Sequence, residues 1–402
     1  MILLSSGLLV LAACSQLAGL EGPDEAPGGS HGSREPGRDV PPDSTLPPAP
    51  PTDCGDVAND ATNCGYCGHS CRGGTCALGL CSTEVVARSA ARIDAFVTDG
   101  QDVFTIGAGA ARACSAGTPD VCRDILTGET VGQRLVAMPD IGGPFGGGQK
   151  PKKGLVGFPA LAPTAIALLG DRVFIADDAY KVVAACPAKA ACTLIDMGLV
   201  DADWVDGDDD DDDDGPDLGR SLAVAQSTVV WAQGAAIRAA PIPAPGRIER
   251  RILERNDATT DKTARVAAAA ADVFWLSEKG LHHASGPTVP TEQWFSRTAR
   301  DFSVDAQRVY LASADGLYRI SRTDRSAALA AFGRFEHVAI DAAGVYAAKS
   351  DGERTIIVEA RADKQLPLAA VDGPVDGLAV AADHVYFLTN AGTGSEIRRV
   401  AR

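Results

Sequence analysis

Past residue 82 the chain repeats one pattern of apolar and polar positions: a short apolar strand, a polar turn, then a strand opening on valine and a large apolar residue. The valines are Val103, Val173, Val229, Val273, Val309, Val345 and Val385, at intervals of 70, 56, 44, 36, 36 and 40 residues. Seven positions before each valine stand Phe96, Ile166, Leu222, Val266, Phe302, Val338 and Leu378, all large. The next column, Val97, Ala167, Ala223, Ala267, Ser303, Ala339 and Ala379, is mostly small. The third, Thr98, Leu168, Val224, Ala268, Val304, Ile340 and Val380, is mostly large again. Such alternation predicts a strand buried on both faces. A β-sandwich has no reason to repeat residue size column by column.

Outside two enlarged gaps, the spacing is that of a four-stranded propeller blade, whose repeats run about 40 to 50 residues. The expected fold class is therefore all-β, a seven-bladed β-propeller over residues 83–402. The last copy stops at an apparent third strand, 397–400, and residues 84–88 can supply the missing fourth. Pairing the two ends would remove exposed strand edges. The repeat lacks the Gly-His and Trp-Asp signature of WD40 blades and the paired glycines of kelch. It resembles the Val-Tyr-Trp propellers of myxobacterial lipoproteins, a resemblance that implies no particular activity.

The N-terminal part differs in kind. An apolar run from residue 2 ends at Leu11-Ala12-Ala13-Cys14, too short to span a bilayer. These four residues resemble the lipobox of bacterial lipoproteins, although no Lys or Arg precedes the run. The resemblance implies a signal peptide over 1–13, cleavage before Cys14, and a lipid on its thiol that anchors the protein to a membrane. Ser15 stands where some such proteins carry an inner-membrane retention Asp, which points to the outer membrane or cell surface. Residues 14–52 are rich in Pro, Gly, Ser, Asp and Glu and predict a disordered stalk.

Setting Cys14 aside, ten cysteines remain. Cys54, Cys64, Cys67, Cys71, Cys76 and Cys81 lie in a Gly-rich segment, 53–82, which resembles small cysteine-rich modules of secreted and lipid-anchored proteins. Cys114/Cys122 and Cys186/Cys192 form two local pairs, with Cys122 and Cys192 both nineteen residues after their valines. An even count in an exported chain predicts disulfides, with the connectivity of the six open and the two later pairs clipping the outer hairpins of blades 1 and 2. A zinc site would need more than His69 as a further ligand. The module reads as a rigid spacer or cap.

The net charge is −16, and residues 201–217 alone hold eleven aspartates without a basic residue. No basic footprint for nucleic acid remains. Nine positions before each valine stand Asp94, Thr164, Arg220, Ala264, Arg300, Glu336 and Asp376, where inner strands begin and converge on one mouth of the central channel. Asp94, Arg220, Arg300, Glu336 and Asp376 are thus the candidate ligand ring. The two enlarged gaps, a Gly-rich loop over 128–157 and the aspartate run, should overhang that mouth. Oxygen ligands at Asp206, Asp208, Asp210 and Asp212 suit weak Ca2+ binding, and the same run also reads as a solvated charged segment. No cofactor other than calcium is suggested, and His282-His283 reads as a turn. The expected function is a surface-anchored binding or scaffold module for a protein or glycan partner. The competing reading is a calcium-dependent hydrolase or lyase at the mouth.

Overall fold

A computed structural model describes residues 54–402 apart from 120, 137–159, 202–217, 234–235, 250–252, 256–264, 286–290, 362–363 and 393. Cys14, the stalk and the aspartate run lie outside the described residues. Seven antiparallel sheets follow one another as blades 1 to 7. Their inner strands are Ala95–Thr98, Pro163–Leu169, Leu218–Ala225, Arg265–Ala269, Asp301–Val304, Arg334–Ile340 and Gly377–Ala381. The valines open or lie near the start of the second strands. In every blade the third column pairs with the valine itself, from Thr98↔Val103 to Val380↔Val385.

Register is held by turn chemistry. Gly100, Gly170, Gln226, Ala270 and Ala382, each three residues before a valine, take positive φ between 49° and 88° at the hairpin between inner and second strands. Blades 5 and 6 use an aspartate instead. Asp305 accepts the backbone N–H groups of Gln307 (2.6 Å) and Arg308 (2.7 Å), and Asp341 those of Ala343 (2.9 Å) and Gly344 (3.1 Å).

The core is seven interfaces between neighbouring blades. Between blades 2 and 3, for example, Ala165, Ala167, Ala176 and Ala185 leave the hollows that Leu222 and Trp231 fill. Between blades 7 and 1 the same task falls to Tyr386 and Leu388 against Phe96 and Val103. The first column is buried throughout, whereas the third is only half-buried in all seven blades. Expected burial on both faces therefore fails at that column, because the inner strand borders an open channel.

The ring closes as the end pairing requires: Glu84–Ser89 is the outer strand of blade 7, antiparallel to Gly394–Ala401. Two departures from four plain strands occur. Blade 2 gains a fifth strand, Ile248–Glu249, parallel to Gly198–Asp201. The first part of the expected Gly-rich loop is a helix, Gly128–Val136. The Thr127 hydroxyl accepts the Thr130 N–H at its start (3.2 Å), Val131 is buried between blades 1 and 2, and the Tyr180 hydroxyl donates to the Gly128 carbonyl (2.7 Å).

All ten cysteines pair: Cys54–Cys67, Cys64–Cys76, Cys71–Cys81, Cys114–Cys122 and Cys186–Cys192. The sulfurs of Cys64, Cys71 and Cys81 cluster, but each is spent in a disulfide. The last two bonds tie third strands to outer strand or connection in blades 1 and 2, on the outer hairpins.

Candidate functional site

Chain direction defines two faces. Inner strands run from the face where they begin, here the mouth face, to the hairpin face where they turn into second strands. A cavity of about 680 Å³ occupies the axis. Its wall is drawn from all three columns of the inner strands, Phe96, Leu222, Phe302 and Leu378 among them, and its rim includes Asp94, Arg265, Arg300 and Asp376.

The predicted ring is thus brought together in part. Asp94, Arg300 and Asp376 line the cavity, while Glu336 stands behind and holds Arg300 in an ion pair, with Arg334 on its other oxygen at 2.7 Å. Partial burial works to raise the Glu336 carboxyl, but the Arg300 and Arg334 guanidiniums together outweigh it and keep it below the ordinary glutamate range. Arg220 is the third residue of the inner strand of blade 3, with its side chain outside the described set. Thr164 is not part of the wall.

One column further on stands a set of residues missed in the sequence, Ser221, Arg265, Asp301 and His337 in the consecutive blades 3 to 6, of which Ser221 and Arg265 line the cavity while Asp301 and His337 stand behind it. Asp301 is fully buried and paired with Arg265 on one side and His337 (3.0 Å) on the other. Its carboxylate also accepts the N–H of Val338 at 3.3 Å, as the Ser221 hydroxyl accepts that of Val266 at 2.7 Å. Inner strands of neighbouring blades splay apart and share no ladder, so these side chains satisfy backbone groups across the gap. The same column alignment would have shown four polar residues in a row, but at strand starts they look like ordinary solvated positions.

The rim has polarity. Asp376 and Asp94 stand on the adjacent blades 7 and 1, with Arg92 beside Asp94 at 3.3 Å. Arg265 and Arg300 stand across the axis on blades 4 and 5. Charged groups of both signs therefore face each other over an apolar throat. The described lining holds no histidine or cysteine, and both rim carboxylates are exposed.

A second cluster of polar residues lies away from the channel. His282 and His283 are buried in the third strand of blade 4, Gly280–Ser285, and not in a turn as their sequence suggested. His282 accepts or donates at Ser277 (2.9 Å), and His283 lies against Asp272 (3.2 Å) and the Trp294 ring.

The cysteine module docks on the hairpin face of blades 6 and 7. The Tyr66 hydroxyl donates to the buried Glu359 carboxylate (2.8 Å), with the Arg361 guanidinium over the Tyr66 ring. Burial, and after it the Glu359 charge, holds the Tyr66 phenol well above the ordinary tyrosine range. His69 stacks on Tyr66, and its ring nitrogens face the carbonyls of Cys64 (2.6 Å) and Ala401 (3.2 Å). Arg72 pairs with Asp383 in the blade 7 hairpin.

These features define a seven-bladed β-propeller with a disulfide-rich cap on one face and a charged channel mouth on the other. No protein-family model matches the chain, and no curated protein matches it in sequence. Solved structures with the same architecture include the β-propeller domain of Myceliophteria thermophila Cps50 (Swd1), at 11% identity and TM-score 0.52, covering 79% of this chain and 98% of that one. The Neurospora crassa Pan2 WD40 domain aligns at 9% identity and TM-score 0.50, covering 79% and 95%. The extracellular domain of a putative one-component system from B. thetaiotaomicron aligns at 8% and 0.51, covering 78% of this chain and 40% of that one. At such identities the likeness is one of fold alone.

Proposed function

We propose that this protein is an envelope lipoprotein, lipid-anchored through Cys14 at the outer membrane or cell surface, whose propeller binds a protein or glycan partner at its channel mouth. The observation that carries this reading is the division of labour between faces. The chain enters the fold at Cys54, in the module docked on the hairpin face, so the rim of Asp94, Arg265, Arg300 and Asp376 opens on the side opposite the point of attachment. A concave apolar throat under a few convergent charges is the form of a ligand site. Solvated carboxylates, and a lining without histidine or cysteine among the described residues, support binding over catalysis. The lipid anchor rests on the resemblance of Leu11-Ala12-Ala13-Cys14 to a lipobox; among the described residues no helix is long and apolar enough to cross a membrane.

The test is recovery of partners from outer-membrane extracts by the full Cys14→Ser chain and by the same chain carrying Arg300→Glu and Asp376→Lys. Partners that bind at the mouth are retained by the first and lost from the second. Equal recovery by both places binding elsewhere.

A further inference from the structure

Apolar side chains left in solvent sort by face. Among the described residues five large ones are exposed: Leu78 (88%), Val121 (64%), Leu169 (36%), Ile195 (80%) and Phe332 (69%). Leu169 ends an inner strand, and Val121 and Ile195 stand in the connections from third to outer strand of blades 1 and 2. By chain direction Leu169 and both connections leave their blades at the hairpin face, the blade 2 connection reaching out to the blade 1 outer strand through the bond of the Cys192 N–H to the Ile125 carbonyl (2.8 Å). Leu78 sits at the tip of the module's hairpin, with a φ of 54°, in the module docked on that same face. Phe332, the last residue of an outer strand, alone belongs to the mouth face.

The two loops are braced. Cys114–Cys122 closes one, Cys186–Cys192 holds the first part of the other, and Lys189 ties the second to Asp99 (2.5 Å) and Asp102 (3.3 Å) of blade 1. Connections of this kind ordinarily carry polar residues at their tips. Here a disulfide-closed loop presents Val121 outward, Ile195 is exposed three residues past the second bond, and a leucine takes a left-handed conformation that favours Gly or Asn.

We infer that the hairpin face rests on a lipid bilayer, with Leu78, Val121 and Ile195 entering the headgroup region. This rests on the lipoprotein reading: the chain reaches this face at Cys54, forty residues after Cys14. The Pro- and Gly-rich composition of the intervening segment predicts a random chain, which at about forty residues would span roughly 35 Å r.m.s.. Tethering at that range raises the effective concentration of the face at the membrane, so a few aliphatic side chains suffice to hold it down although they bind bilayers weakly alone.

The experiment is hydrogen exchange on the lipidated full chain in phosphatidylcholine vesicles, against the Cys14→Ser chain in the same buffer. Segments 76–81, 116–121 and 188–197 should slow by roughly threefold or more as apolar tips leave water, while those around Asp94, Arg300 and Asp376 stay unchanged. Val121→Asp with Ile195→Asp should lose this protection yet stay attached through its lipid. Unprotected loops, or protection at the mouth, would overturn the docking while leaving the anchor intact. If mass spectrometry finds Cys14 unmodified, the lipoprotein reading fails separately. Sedimentation of the unlipidated chain then decides at lipid concentrations raised far enough to register weak untethered binding: a bound fraction that falls roughly fivefold in the Asp variant supports the docking, and no bound fraction even at high lipid overturns it.

Discussion

Ala270 and Ala382 take left-handed conformations where blades 1 and 2 use glycine. A Cβ in that region costs about 1 kcal/mol or more, so Ala270→Gly should raise stability by about 1 kcal/mol in urea titrations, with an unchanged slope. Asp177 carries a different cost. It is fully buried at the end of the second strand of blade 2, accepting the N–H groups of Ala162 (2.8 Å) and Tyr180 (3.1 Å). Burial, which those hydrogen bonds only partly offset, pushes its carboxyl up from 3.8 to about 6. A raised folded-state value means that the native state binds the proton more tightly than the unfolded chain. Asp177 therefore becomes less destabilising as pH falls from 7 through 6, and the cost returns as pH rises. Relative to Asp177→Asn, the native protein should gain about 1 kcal/mol between pH 7 and pH 5. A difference that does not change with pH would contradict the assignment.

At the scale of elements, each blade interface stands on large side chains seated in alanine hollows. Trp231 is fully buried between blades 2 and 3, and Trp231→Ala should cost about 3 to 5 kcal/mol, measured by denaturant unfolding. This arrangement was legible in the sequence because residue size recurs by column, and so were the closing strand 84–88 and the even pairing of ten cysteines. The helix Gly128–Val136 was not, since it falls in a gap where the repeat has no copy and opens on glycine. Nor was the docking of the module. Tyr66 and Glu359 stand 293 residues apart with no periodicity to connect them. At the mouth, Asp94, Arg300 and Asp376 were legible as charges beside apolar columns. Arg265 and Asp301 lay hidden one column over, because an ion pair between blades leaves no spacing signal.

The whole molecule places its two ends of business on opposite faces, with the disulfide-rich cap at the hairpin face and the charged throat at the other. The cap is part of the fold rather than an appendage: Tyr66→Phe would leave the buried Glu359 carboxylate short of a donor, costing about 1 to 3 kcal/mol in chemical unfolding. Face division has a functional consequence only if the chain is tethered at its N-terminal side, which makes Cys14 the residue on which the account turns. Palmitate labelling of cells that express the wild-type chain and Cys14→Ser tests this most directly. Label in the wild type and none in the variant is the expected result. Label that persists in Cys14→Ser, or that never enters the wild-type chain, would contradict the anchored propeller.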